Sequence, residues 1–314
     1  MPDALQLAIT VLAAVLLFLH GLEAFSDELT RLGGDSLRGW LARLTRSDGR
    51  AAFTGAFSTA LLQSSSAVSS MSVTLADRRV IGARATLGVM VGANVGTTLT
   101  AWLVALKIAG LGPLFVCIGG LWSMLAPQRW RAQGKVLFYF GLIFLALDWI
   151  AAALAPLAQH PEVASLRLYL DHPLLALGFG VLLTALVQSS SVVSGLAVLS
   201  VAQGVIAPGV AVWMVAGANV GTTSTALLAS AQLGALARKL AVCNTAFNVL
   251  GVLLFATLLQ PVIAAVLALE LAAGQRVALV HTLFNTGAAV VSLLLLPWIW
   301  SRLQPWLEAP TPPN

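Results

Sequence analysis

Charge is what this sequence has least of. Of its 314 residues only 9% are Asp, Glu, Lys or Arg, while 59% are hydrophobic, and the mean hydropathy is +0.91. That balance excludes a soluble enzyme or soluble binding module and implies a polytopic membrane protein. From Pro173 to Ala237 there is no charged side chain and no His, a run long enough for two membrane passes at about 20 residues each. Runs this long satisfy their backbone in a bilayer only as helices, so the fold expected is all-α. Cysteine is nearly absent. Cys117 and Cys243 sit singly in apolar segments, which excludes a disulfide framework and a thiolate metal site. The net charge of +5 does not imply nucleic acid, because the cations gather in short loops, where they encode topology. The apolar run Ala4 to Leu19 follows Asp3 with no Lys or Arg, and no small-x-small site follows it, so it is expected to be a first transmembrane helix with its N-terminus outside.

Polar residues do occur inside the apolar runs, and they recur. "GAFSTALLQSSSAVSS" from Gly55 aligns with "GVLLTALVQSSSVVSG" from Gly180, and "GANVGTT" from Gly92 with "GANVGTT" from Gly217, both at an offset of 125 residues. Across the 52 residues from Gly55 to Leu106 this alignment has 23 identities and no gap, so the chain contains a duplicated unit.

The basic loops predict how the two units are oriented. Arg31, Arg38, Arg43, Arg46 and Arg50 precede the first QSSS segment, while Arg78, Arg79 and Arg84 follow it. If both flanks are cytoplasmic, the segment is a re-entrant hairpin with QSSS at its tip. Crossings at about 80–106, 109–126 and 136–157 then bring the second hairpin, about 174–200, in from the opposite face, which makes an inverted repeat. This arrangement puts 13 of the 17 Lys and Arg in the cytoplasm and Lys107, Arg167 and Arg302 outside; Arg276 follows a segment, 261–273, too short to place. With about eight further membrane segments, the chain divides into 1–50 (first helix and basic segment), 51–126 (repeat 1), 127–173 (a linking loop, a helix and an outer loop), 174–298 (repeat 2) and 299–314 (C-terminal tail).

A lone Ser in a membrane helix usually serves helix packing, but four polar residues in a row circle the helix and leave that explanation weak. At the tip of a broken helix, free N–H groups and hydroxyls favour an anion, and the oxygens there suit a small hard cation. The glycines of GANVGTT, taken alone, read as close helix packing. Asn94, Thr97 and Thr98, duplicated as Asn219, Thr222 and Thr223, would offer oxygen to a cation if the helix unwinds there. A looser echo joins "AVCNTAFNVLG" from Ala241 to "ALVHTLFNTGA" from Ala278, with Asn248 and Asn285 in register. Asn248, Asn285, His281 and Asp148 are secondary candidates, Asp148 as an acid deep in a span. His20 and Glu23 share a face of the first helix and are assigned no role.

The paired QSSS and GANVGTT motifs, with "HTLFN" near the end, resemble the type II sodium-dependent phosphate cotransporter family in its compact bacterial form. The resemblance covers about Thr54 to Leu106 and Thr184 to Leu295. It implies sodium-coupled uptake of inorganic phosphate by alternating access in the bacterial inner (plasma) membrane, with Na+ as coupling ion and no other cofactor. It assigns phosphate binding to Gln63, Ser64, Ser65, Ser66, Gln188, Ser189, Ser190 and Ser191, and supporting sodium contacts to Asn94, Thr97, Thr98, Asn219, Thr222 and Thr223. Two departures stand out. Asn244 occupies a position where relatives often have His, and the chain ends at "APTPPN" with no cytosolic helical domain, so regulation is expected on another chain if anywhere. A homo-oligomer is compatible with all of this. The rivals are a sodium-coupled carrier of another oxyanion and an intramembrane serine hydrolase. The hydrolase lacks a base, since neither QSSS segment has a His, Lys or Asp near its serines.

Overall fold

The computed structural model describes residues 2–44, 47–106, 110–159, 169 and 171–309. The expectations for Arg46, Lys107, Arg167 and the tail 310–314 lie outside these residues, as do the side chains of Arg38 and Arg43. The described residues are helical, with no strand among them. In chain order the α-helices are α1 (Pro2–Leu44), α2 (Asp48–Leu62), α3 (Ser65–Asp77), α4 (Ala83–Ala105), α5 (Leu111–Leu125), α6 (Arg131–Leu154), α7 (Pro173–Val187), α8 (Ser190–Ala202), α9 (Pro208–Gly221), α10 (Thr223–Ser230), α11 (Ala235–Thr257), α12 (Gln260–Leu267) and α13 (Ala273–Glu308).

Among the described residues six helical stretches are long and apolar enough to cross a membrane: Leu5–Gly34, Ala83–Ala105, Gln128–Ala158, Pro208–Ser230, Ala235–Thr257 and Ala273–Glu308. The protein is a multi-pass membrane protein. The hairpin arms are shorter. The 15 residues of α2 and the 13 of α3 reach about 22 Å and 20 Å at roughly 1.5 Å per residue, short of a hydrocarbon core about 30 Å thick.

Glycine sets how the helices pair. A Cβ at Gly55 would overlap the Val89 carbonyl, one at Gly92 the Ala52 carbonyl, and one at Gly96 the Ala56 carbonyl. Moved by 125 residues, the same contacts recur as Gly180 on Met214, Gly217 on Leu177 and Gly221 on Val181. The packing reading of the GANVGTT glycines is therefore correct in both halves. In these contacts residue numbers rise together, so α2 runs parallel to α4 and α7 parallel to α9. The helix between each pair runs back.

The bundle has two ends. At one, Asp48 at the start of α2 pairs with Arg84 at the start of α4 at 2.6 Å, and Arg84 lies over the Trp300 ring near the end of α13. Asp77, closing α3, touches Gly234 just beyond α10, and the Lys239 ammonium donates to the carbonyls of Trp306 and Ala309. At the other end Gly274, opening α13, meets Val198 of α8 and Ala105 at the end of α4. Arg302 therefore belongs to the end that holds Arg84 and Lys239, which corrects its assignment to the opposite face. The 8-residue α12 spans only about 12 Å and cannot carry the chain across. The segment 261–273, too short to place from sequence, therefore stays at one end of the bundle, whereas Arg302 at the opposite face would require it to cross.

Between the repeats α5 packs antiparallel on α6, with Gly112 against Leu145 and Gly134 against Ser123. α6 in turn runs antiparallel to α1, with Gly21 against Ile143 and Lys135 at 3.5 Å from Glu28. The main core gathers Phe18, Val104, Ile150, Val198, Phe255 and Phe284 from six of these helices.

Candidate functional site

The QSSS motif is a helix stop followed at once by a helix start. Gln63 ends α2 with φ 55° and Gln188 ends α7 with φ 60°, both in the left-handed region where Gly is the usual choice. A side chain there costs roughly 1–2 kcal/mol. Each Gln recovers part of that by donating its amide to its own last turn, Gln63 to Ala60 O and Gln188 to Ala185 O. The first Ser of each motif is the N-cap: the Ser64 hydroxyl accepts from Ala67 N at 3.2 Å and the Ser189 hydroxyl from Val192 N at 3.4 Å. The second and third Ser then occupy the first turn, where backbone N–H groups are unspent and the helix dipole is positive.

The two tips, far apart in sequence, meet. Gln63 to Ala67 and Gln188 to Ser191 line one cavity of about 320 Å³. All eight QSSS residues predicted to bind phosphate are in its wall. Two hydroxyl contacts cross between the halves and are related by the repeat: Thr100 to Ser191 at 3.4 Å and Thr225 to Ser66 at 3.3 Å. Thr100 also donates to the Gln63 carboxamide oxygen at 2.8 Å.

The remaining predicted residues are placed elsewhere. Thr97 and Thr98 spend their hydroxyls on carbonyls of their own helix, those of Ala93 and Val95, and Thr223 at the start of α10 reaches back to the Val220 carbonyl of α9. In repeat 1 the expected unwound turn is not formed, because Asn94 to Thr98 lie inside the uninterrupted α4. In repeat 2 the stretch is divided at Thr222 between α9 and α10, but the backbone there stays helical (φ −63°, ψ −22°) and its N–H bonds Ala218 O, so no unwound turn forms; the buried Thr222 hydroxyl has no partner among the described residues. Asn94 donates to Asn248 at 3.0 Å and Asn219 to Asn285 at 2.7 Å. These four asparagines and Ser292 line a second cavity of about 10 Å³, room for about one water. His281 is buried, its carbonyl accepts from Asn285, and neither ring nitrogen has a partner among the described residues. Asp148 lies on α6 and lines neither cavity.

Sequence reasoning missed the third wall of the main cavity. Leu22, Glu23, Ser26 and Asp27 of α1 complete it. Their spacing places them on one helix face, and an acid pair four apart just after the apolar run of α1 was the available signal. Thr100 and Thr225 were missed because the motif was read only to its second Thr; both are identical at the 125-residue offset.

With these elements in place, the sequence profile of the Na+/Pi-cotransporter family matches residues 17–152 and 150–273. The chain belongs to that family. Among its relatives is the "Uncharacterized protein YqeW" of Bacillus subtilis, 30% identical over 291 residues, which are 92% of this chain and 94% of that one. The "Putative inorganic phosphate export protein YjbB" of Escherichia coli K12 is 28% identical over 291 residues, and that of Salmonella typhimurium is 28% identical over 277. The matches cover 92% and 88% of this chain but 53% and 51% of those proteins, so the chain spans about half of their length. No solved structure matches the chain.

Proposed function

We propose that the chain is a secondary transporter that moves inorganic phosphate with sodium, by alternating access, across a bacterial inner membrane. The observation that carries this reading is the single cavity closed by both QSSS tips. The tips offer it two helix N-termini and six Ser hydroxyls, and no Lys or Arg among the described residues lines it. Such donors suit an oxyanion, but without a fixed cation they do not by themselves offset the desolvation of a phosphate dianion. A co-bound cation supplies the difference, and an anion-bound state too costly to populate without it couples the two flows.

The topology that goes with this is an inverted repeat of two re-entrant hairpins. Arm lengths below the bilayer core support re-entry. The Asp48–Arg84 pair supports entry and exit of the first hairpin at one face. The Asp77–Gly234 contact supports inversion, since it places the end of α10 beside the face where α4 begins. On this reading the N-terminus is outside and the basic loops are cytoplasmic.

The direction proposed is uptake driven by an inward sodium gradient. A second reading, export, is favoured by the printed names of the YjbB relatives. Right-side-out and inside-out vesicles with imposed sodium and phosphate gradients separate the two. Sodium-driven accumulation of phosphate, with arsenate competing and sulfate competing poorly, is the expected result. Equal transport in sodium and potassium would remove the coupling, and sulfate competing as well as arsenate would favour a carrier of another oxyanion.

A further inference from the structure

The α1 wall of the main cavity is charged with the wrong sign for an anion. Glu23 and Asp27 bring two carboxylates to it, and neither has an ion-pair partner among the described residues. Their neighbour Glu28 differs: it is buried and paired with Arg31 at 3.2 Å and Lys135 at 3.5 Å. Three serines that line the same cavity are more than nine-tenths buried as residues, and their hydroxyls make no hydrogen bond with any described residue: Ser26 at 8% exposure, Ser65 at 4% and Ser190 at 3%. Their hydroxyls open into the cavity, so their hydrogen-bond partners are whatever occupies it. Two unpaired carboxylates beside a hydroxyl on one helix face define what that is, a small cation taken by oxygen ligands.

We propose that Glu23, Ser26 and Asp27 of α1 form the cation half of the cavity, holding a monovalent cation against the oxyanion held by the hairpin tips. That the cation is sodium rests on the function proposed above. The site is distinct from the GANVGTT positions expected to hold sodium. It stands outside the duplicated unit and comes from one helix, while the oxyanion half of the same cavity is built from both repeats. The charge balance follows in part: one monovalent cation offsets one of the two carboxylate charges of α1, and so lowers the repulsion that an anion at the tips meets.

The test uses the full chain purified in detergent, as wild type, Glu23→Gln, Asp27→Asn and the double variant. Sodium, lithium and potassium chloride are titrated into a choline buffer, first without phosphate while the thermal midpoint is followed, then with phosphate while its binding is measured by calorimetry. Sodium should raise the wild-type midpoint, and the double variant should lose that shift. The sodium needed for half-maximal phosphate binding should rise about tenfold or more, while phosphate affinity at saturating sodium stays within about threefold. Retained phosphate binding also shows that the variants fold; if the double variant does not, the single variants carry the same comparison. A double variant with the wild-type sodium response in both measurements overturns the α1 site and leaves the coupled carrier standing. Wild-type phosphate binding of equal strength in sodium and choline overturns the coupling instead. The α1 site then stands or falls on whether a cation shifts the wild-type midpoint and the double variant abolishes that shift.

Discussion

Gln63 and Gln188 make the same left-handed turn, yet Gln63 is 8% exposed, its carboxamide oxygen held by Thr100, while Gln188 is exposed and bonded only to its own helix. The contrast extends outward. α4 runs as a regular α-helix through GANVGTT, whereas the equivalent stretch of repeat 2 changes at Thr222, between α9 and α10, without leaving helical dihedrals. Beyond the repeats, the two Asn clamps end on Asn244 O in one case and His281 O in the other. The cause lies in the neighbours. α1 lies outside the duplication and packs on the first hairpin, with Leu41 buried among Ala51 and Leu62 and Trp40 against Phe57. Duplicated residues set the same backbone at each tip, while the side-chain bonds made there differ between the halves even where the partner, Thr100 or Thr225, is itself duplicated.

The backbone half of that statement is the easiest to break. Gly92→Leu and Gly217→Leu each force a side chain into a carbonyl of the parallel helix, with no flexible group to give way. Each should cost more than about 3 kcal/mol and leave little folded protein in the membrane, measured by detergent-extracted monodisperse yield and thermal midpoint. One variant tolerated and the other not would mean the two pairings are unequal, and the comparison would have to start lower, at the helices themselves.

The side-chain half is sharpened by Gln63→Ala and Gln188→Ala. Both truncations remove a tip residue, so both should weaken phosphate binding. Gln63→Ala also leaves the buried Thr100 hydroxyl without its acceptor, at about 1–3 kcal/mol, or roughly five- to 150-fold in affinity. Gln188→Ala strands no other buried group and should cost less in thermal midpoint. Equal losses of stability would show that the committed and uncommitted glutamines differ only in appearance.

How much of this was legible follows the same division. The duplication, the helical class, the QSSS turns and the packing glycines could be read because each depends on local residue types: Ser as N-cap, Gly where backbones touch, long apolar runs as helices. What α1 contributes could not be read the same way. Glu23 and Asp27 lie 36 or more residues from the nearest QSSS. Nothing local says that a helix which begins as a membrane span continues to Leu44 and turns an acidic face to the tips. The Arg302 assignment failed for a related reason, since the sign of every later loop hung on whether one short apolar run crosses.

The finest test concerns the two contacts that cross between the halves. A hydroxyl has one proton. Thr100 donates its own to Gln63 at 2.8 Å and Thr225 to the Thr222 carbonyl at 2.6 Å, so in each crossing contact the Ser is the donor, Ser191 to Thr100 and Ser66 to Thr225. At 3.4 and 3.3 Å these are long for a hydroxyl pair, so each contributes about 0.5–1 kcal/mol or less. Thr100→Val and Thr225→Val keep the shape and remove the acceptor. Two double-mutant cycles, Thr100→Val with Ser191→Ala and Thr225→Val with Ser66→Ala, then measure the couplings on phosphate affinity, each expected at about two- to fivefold. Equal couplings mean that the repeat symmetry survives where the halves touch, whatever α1 does to Gln63. A coupling confined to Thr100 and Ser191 would carry the asymmetry of the glutamines across the cavity, because Thr100 alone is held by both a Gln and a Ser. Two couplings of zero would leave the tips adjacent but mechanically independent, and alternating access would then have to be transmitted through the packing of α4 and α9 instead.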